Sequence, residues 1–182
     1  MTSATTEVQP KPNKNRGTVK FILLFVGLFV GLVYLLDGTG PVQPINQAIH
    51  QFTLVQTQVA GGLLNLVGQS VTAAGNLLIG PTFSCEVETG CNGMSAVVLL
   101  LAGLLSFPAP WRHRLAGLAV LLPAVILVNI LRIAGLYWVG EHASQWFGPA
   151  HVYVGQVLVI TVTAGLWWGW LSWSARRRAA SS

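Results

Sequence analysis

Four long apolar runs, each flanked by basic residues on the same side, commit this chain to threading a lipid bilayer. The runs are 19–36, 93–107, 115–139 and 152–173. A helix rises 1.5 Å per residue, so they reach about 22 to 38 Å against a hydrocarbon core of about 30 Å. The second run is short and is expected to borrow a turn from the residues before it. Composition agrees, with 53% of residues hydrophobic, 8% charged and a mean hydropathy of +0.62. The 18 residues of the first run exceed a signal-peptide core, and no A-x-A cleavage site follows, so it reads as an uncleaved anchor.

Nine of the ten Lys and Arg residues flank these runs. Lys11, Lys14, Arg16 and Lys20 surround the start of the first, Arg112 and Arg114 lie in a short connection, and Arg176, Arg177 and Arg178 follow the last. Basic residues in short loops stay cytoplasmic. Four spans then put both termini and 107–115 inside. The segments 37–92 and 140–151 lie outside; they carry no Lys or Arg but hold Asp37, Glu86, Glu88 and Glu141. The net charge of +5 thus describes a rim facing anionic lipid, not a nucleic-acid surface. The expected organisation is a tail over 1–18, disordered by composition, one membrane-embedded domain over 19–173, and a basic tail over 174–182.

The segment 45–79 has no acidic or basic residue. Ile45, Ala48, Ile49, Phe52, Val55, Val59, Leu63, Leu66 and Val67 recur at helical spacing, with Asn46, Gln47, His50, Gln51 and Gln58 largely opposite. This predicts an amphipathic helix on the outer leaflet or against the bundle, with a re-entrant pair as the alternative. The fold class is therefore all-α, a polytopic helix bundle of about four transmembrane helices plus this outer segment. Trp167, Trp168, Trp170 and Trp173 read as an interfacial belt.

The tenth basic residue, Arg132, stands inside the third run, where a charge costs roughly 2.5–3.5 kcal/mol on insertion scales and needs a polar partner or wet cavity. Cys91, just before the second run, and His151, at the expected start of the fourth, fall at the same outer face. A Cys–His pair with a cationic donor is the equipment of acyl transfer. A helix start and a nearby cation lower a thiol pKa, and a helix start favours a neutral histidine. Asn92, with Gly93, is suited to opening a helix beside Cys91. Asn129 precedes Arg132 by three residues, shares its face and offers a carbonyl partner. Competing readings are an ion pair of Arg132 with Glu86 or Glu88, and a disulfide between Cys85 and Cys91. A metal site from Cys85, Cys91 and His142 or His151 is disfavoured by the C-x5-C spacing, and neither a metal nor another cofactor is expected.

Three motifs in order, E-V-E-T-G-C-N-G (86–93), N-I-L-R-I (129–133) and H-V-Y-V-G (151–155), resemble the exosortase/archaeosortase family, and the short chain looks most like exosortase H. The resemblance covers roughly 84–160 and implies a polytopic cysteine transpeptidase unrelated in fold to sortases. It implies that Cys91, Arg132 and His151 are the catalytic Cys, Arg and His. It also implies substrates with a C-terminal tail made of a short motif, a transmembrane helix and a basic cluster, of IPTL type for exosortase H. Family members commonly have more spans, and Ser or Ala where Asn92 stands here.

The resulting expectation is a cysteine peptidase or transpeptidase of the bacterial inner membrane, with cytoplasmic termini and an outward-facing site. Its partners are the bilayer and membrane-anchored protein substrates, with no nucleic acid. Two alternatives remain: a thiol–disulfide redox protein using Cys85 and Cys91, although no C-x-x-C is present, and a non-enzymatic membrane assembly subunit.

Overall fold

The computed structural model describes residues 14–36 and 40–179, with side chains from Gly17 onward. Residues 1–13, which make up most of the expected N-terminal tail, and Asp37 lie outside the described residues. Helix α1 (Lys14–Leu36) is followed by α2 (Gln43–Leu66), which Pro44 opens in its first turn. Three short strands come next: β1 (Thr72–Ala74), β2 (Leu77–Ile79) and β3 (Ser84–Glu86). A 3-10 turn at Thr89–Cys91 leads into α3 (Met94–Ser106), and α4 spans Trp111–His142. After a turn at Ser144–Trp146, the short α5 (Phe147–Pro149), a π-helical segment at Ala150–Gly155 and α6 (Gln156–Ala179) form one nearly continuous helix.

Among the described residues, three helical stretches are long and apolar enough to cross a membrane: Gly17–Leu36, Trp111–His142 and Ser144–Ala179. The chain is an all-α membrane helix bundle, and thus an integral membrane protein. α3, with 13 residues, reaches about 20 Å, and the 3-10 turn before it extends that reach, as its short apolar run predicts.

The helices run so that two chemistries separate. Phe21 of α1 meets Phe107 after α3, Arg114 donates to the Phe107 carbonyl at 2.9 Å, and Arg178 donates to the Pro108 carbonyl at 2.7 Å. This is the basic end of the bundle. Trp170, expected in an interfacial belt, is buried here and donates to the His113 carbonyl at 2.9 Å, whereas Trp168 is exposed as expected. Between the ends, Leu100, Leu104, Leu121, Val125 and Val159 pack α3, α4 and α6 together. The opposite end holds the end of α4, the starts of α3 and α6, and a cap made of α2 and the sheet.

That cap differs from the sequence expectation in two ways. The antiparallel sheet, ordered β1-β2-β3, was not anticipated, because three-residue strands are too short to show alternation. Its Leu78 packs with Ala60, Leu64, Ile130, Ile133 and Tyr137. Second, of the apolar stripe that its periodicity displays, α2 fully buries Ile49 alone. Its other buried residues are Thr53, Gln56, Thr57, Ala60, Gly61 and Leu64, with Gln56 bonded to Asn129 of α4 and Gly61 against Ala73 and Leu78 of the sheet, while Val55, Val59 and Leu66 are exposed. Small side chains let neighbouring elements approach closely and polar ones hydrogen-bond across the contact, so the packed face need not be the most apolar one.

Candidate functional site

Gly93 caps α3 at a φ of +73°, in the left-handed region that favours glycine. A Cβ there would come within 2.7 Å of the Asn129 side chain, so this glycine also lets α4 close on the turn carrying Cys91. Asn92 Oδ1 accepts the Met94 N–H at 3.0 Å and satisfies one open donor of the α3 start. Cys91 therefore stands on a 3-10 turn before the helix cap, not on the helix terminus itself.

Arg132 sits well inside α4, with about 15 Å of helix continuing beyond it to His142. It is 7% exposed. Its Nη1 faces Asn129 Oδ1 at 3.5 Å, at the outer limit of hydrogen bonding, so its neighbour is the expected amide and not a carboxylate. Glu86, one of the acids considered for Arg132, accepts instead from Asn76 at 2.8 Å. Gly155 lies against the guanidinium, where an added Cβ would come within 2.7 Å of Arg132 Nε. Two motif glycines thus serve close approach, one to Asn129 and one to Arg132.

His151 lies on the π-helical segment, and such segments recur at functional sites. Its Nε2 lies 3.3 Å from Cys91 Sγ, and its Nδ1 lies 3.7 Å away. Phe147 stacks on the ring with centroids 5.8 Å apart. The helix carrying His151 begins at Ser144, so the histidine is beyond the first turn, where a helix dipole acts most strongly. His151 therefore does not stand at a helix start, contrary to the expectation from sequence.

Beneath these side chains runs a buried chain of amides. Asn129 Nδ2 donates to the Cys91 carbonyl at 3.0 Å and to Gln56 Oε1 at 2.9 Å. Gln56 Nε2 donates to the Asn92 carbonyl at 2.8 Å, and Asn92 Nδ2 donates to Thr53 Oγ1 at 3.1 Å. Gln56, Asn92 and Asn129 are each 1% exposed. With both Nδ2 hydrogens engaged, Asn129 leaves its Oδ1 toward Arg132. Gln56 and Thr53 were missed in the sequence. The available signal was a row of small and polar residues at 53, 56, 57, 60 and 61, which a search for apolar periodicity passes over. Removing Gln56 leaves buried donors and acceptors unpaired at about 1–3 kcal/mol. Gln56→Ala is therefore expected to lower the denaturant midpoint of the detergent-solubilised protein, and an unchanged midpoint would show that the amide chain is not stabilising.

The thiols depart from expectation. Burial pushes the Cys91 thiol above its ordinary value; Arg132 opposes this and Glu88 adds to it, and burial dominates. Cys85, on β3 opposite Leu78, is pushed up to about 11 by burial and by its proximity to Cys91. Both cysteines are free.

These elements define a polytopic membrane bundle that buries an arginine near a Cys–His pair drawn from helices far apart in sequence. The chain belongs to the transmembrane exosortase family (Exosortase_EpsH), whose family model matches residues 16–168. No curated protein and no solved structure matches the chain.

Proposed function

We propose that this chain is a membrane-embedded cysteine peptidase or transpeptidase that removes C-terminal sorting tails from exported proteins. The observation that carries this reading is the 3.3 Å approach of Cys91 Sγ to His151 Nε2 across 60 residues of sequence, with Arg132 buried nearby. Cys91 attacks the scissile carbonyl while His151 takes the thiol proton. Because burial keeps the resting thiol protonated, proton removal accompanies attack. Arg132 stabilises the oxyanion, and its amide neighbour leaves its charge available for that task. The C–N bond then breaks, His151 returns the proton to the leaving amine, and a thioester remains. Water or an amine acceptor resolves it, with His151 again as base. Asn129 and Asn92 support the site by holding the Cys91 turn.

The test compares cells lacking the chain with cells carrying it, by mass spectrometry of the C-terminal peptides of membrane proteins. Retained tails in the deleted cells are expected, of the motif, transmembrane helix and basic-cluster form and possessing IPTL-type motifs. Identical C-termini in both would overturn the reading.

The separation of the basic end from the site, together with the positive-inside rule, supports a location in the bacterial inner membrane with the site outward. It has one membrane domain over 19–173 and cytoplasmic tails over 1–18 and 174–182. Single-cysteine labelling in intact cells is expected to leave positions in 1–18, 108–114 and 174–182 protected and to modify positions in 38–90. Labelling at position 112 from outside would invert the arrangement.

A further inference from the structure

Two cavities of opposite chemistry meet at Gly90, the residue before Cys91. One, of about 330 Å³, is lined by polar side chains including Asn46, His50, Asn76, Glu86 and Glu88. The other, of about 310 Å³, lies between α1, α3 and α6. Gly93, Ser95 and Gln156 line the second at the first turns of α3 and α6, while Phe29, Leu99 and Ile160 line it about a turn deeper. Ile160 is exposed on the bundle surface, so this cavity communicates with lipid. Arg132 lines it too, and its buried Nε has no hydrogen-bond partner.

We infer that the apolar cavity is the subsite for the first apolar residues on the membrane side of the cleaved bond, so that a substrate crosses the site with its polar-to-apolar boundary at Cys91. This rests on the peptidase reading above. A transmembrane segment satisfies its backbone by staying helical, and unwound backbone at membrane depth is tolerated only where protein supplies polar partners. To reach Cys91, the substrate must unwind at its cut point. The unpaired Arg132 Nε, Ser95 and Gln156 supply hydrogen-bonding groups at that depth. Below them, Phe29, Leu99 and Ile160 offer the contacts an apolar side chain needs, and above Gly90 the polar cavity takes the chain that faces water.

The test uses the Cys91→Ala protein in native membranes, where uncut substrates accumulate and are identified by their retained tails. A benzophenone amino acid in place of Phe29 is irradiated, with the same group in place of Leu127, exposed on the bundle surface, as control. Position 29 is expected to form adducts with the retained-tail proteins, the adduct mapping to their apolar stretch, while position 127 captures phospholipid alone. In parallel, Leu99→Trp narrows the cavity and is expected to lower processing about 10²-fold, the scale of a misplaced substrate, with the Cys91 alkylation rate unchanged. An abundant Leu99→Trp protein processing at wild-type rate overturns the inference, as do position-29 adducts that contain only phospholipid. If Leu99→Trp does not accumulate, the adducts decide. If Cys91→Ala retains no tails, the peptidase reading fails and takes the subsite with it.

Discussion

Cys91→Ala is expected to abolish tail processing, while Cys85→Ala leaves most of it. Losing the nucleophile of a hydrolytic triad costs on the order of 10⁶ in rate, because the remaining groups act only through it. Cys85 has no comparable neighbour. It sits on β3, packs against the core beneath the sheet, and its thiol is held near 11. Cys91 alone stands within reach of a ring nitrogen. The pH dependence follows from the same burial. A raised pKa favours the neutral thiol, so alkylation of the resting protein is expected to be slow near pH 7 and to rise as pH climbs, with Cys91 leading Cys85. Mass spectrometry of maleimide-treated membranes over a pH series measures both sites together. Equal loss of processing in the two variants, with a mass showing a disulfide in the wild type, would favour the redox alternative.

The legible part of this protein was the part governed by the bilayer. Lys and Arg positions assigned sides to each helix end without reference to chemistry, and that assignment brought Cys91 and His151 to one face; the structure brings them to 3.3 Å. Arg132 was conspicuous because a charge in an apolar run has few innocent explanations. Apolar periodicity was a poorer guide to α2, because its packed face is built largely of small and hydrogen-bonding side chains, Thr53, Gln56 and Gly61 among them. The sheet escaped because three residues cannot display a period of two. The sign of the Cys91 shift escaped for a different reason. A neighbouring cation can be inferred from topology, but burial is a property of packed volume, and here burial dominates.

Arg132 carries the second large effect: Arg132→Ala and Arg132→Lys are both expected to lower processing by about 10²–10³, the usual cost of one oxyanion donor. Lys keeps the charge but loses the planar fork that bridges two acceptors, and in a desolvated position it deprotonates more readily. The arginine's surroundings also set the expected stability. Breaking a buried ion pair strands the partner charge and costs about 3–5 kcal/mol. Arg132 faces the neutral Asn129 amide, so its removal strands no carboxylate there. Arg132→Ala should therefore accumulate in membranes and unfold near the wild-type midpoint, which separates it from a structural arginine whose loss destroys the fold. Processing rate, membrane abundance and unfolding midpoint must be read together. An abundant, stable Arg132→Ala protein that still cuts at wild-type rate would remove Arg132 from the chemistry. A protein that disappears would instead make Arg132 a structural element, with catalysis left to Cys91 and His151.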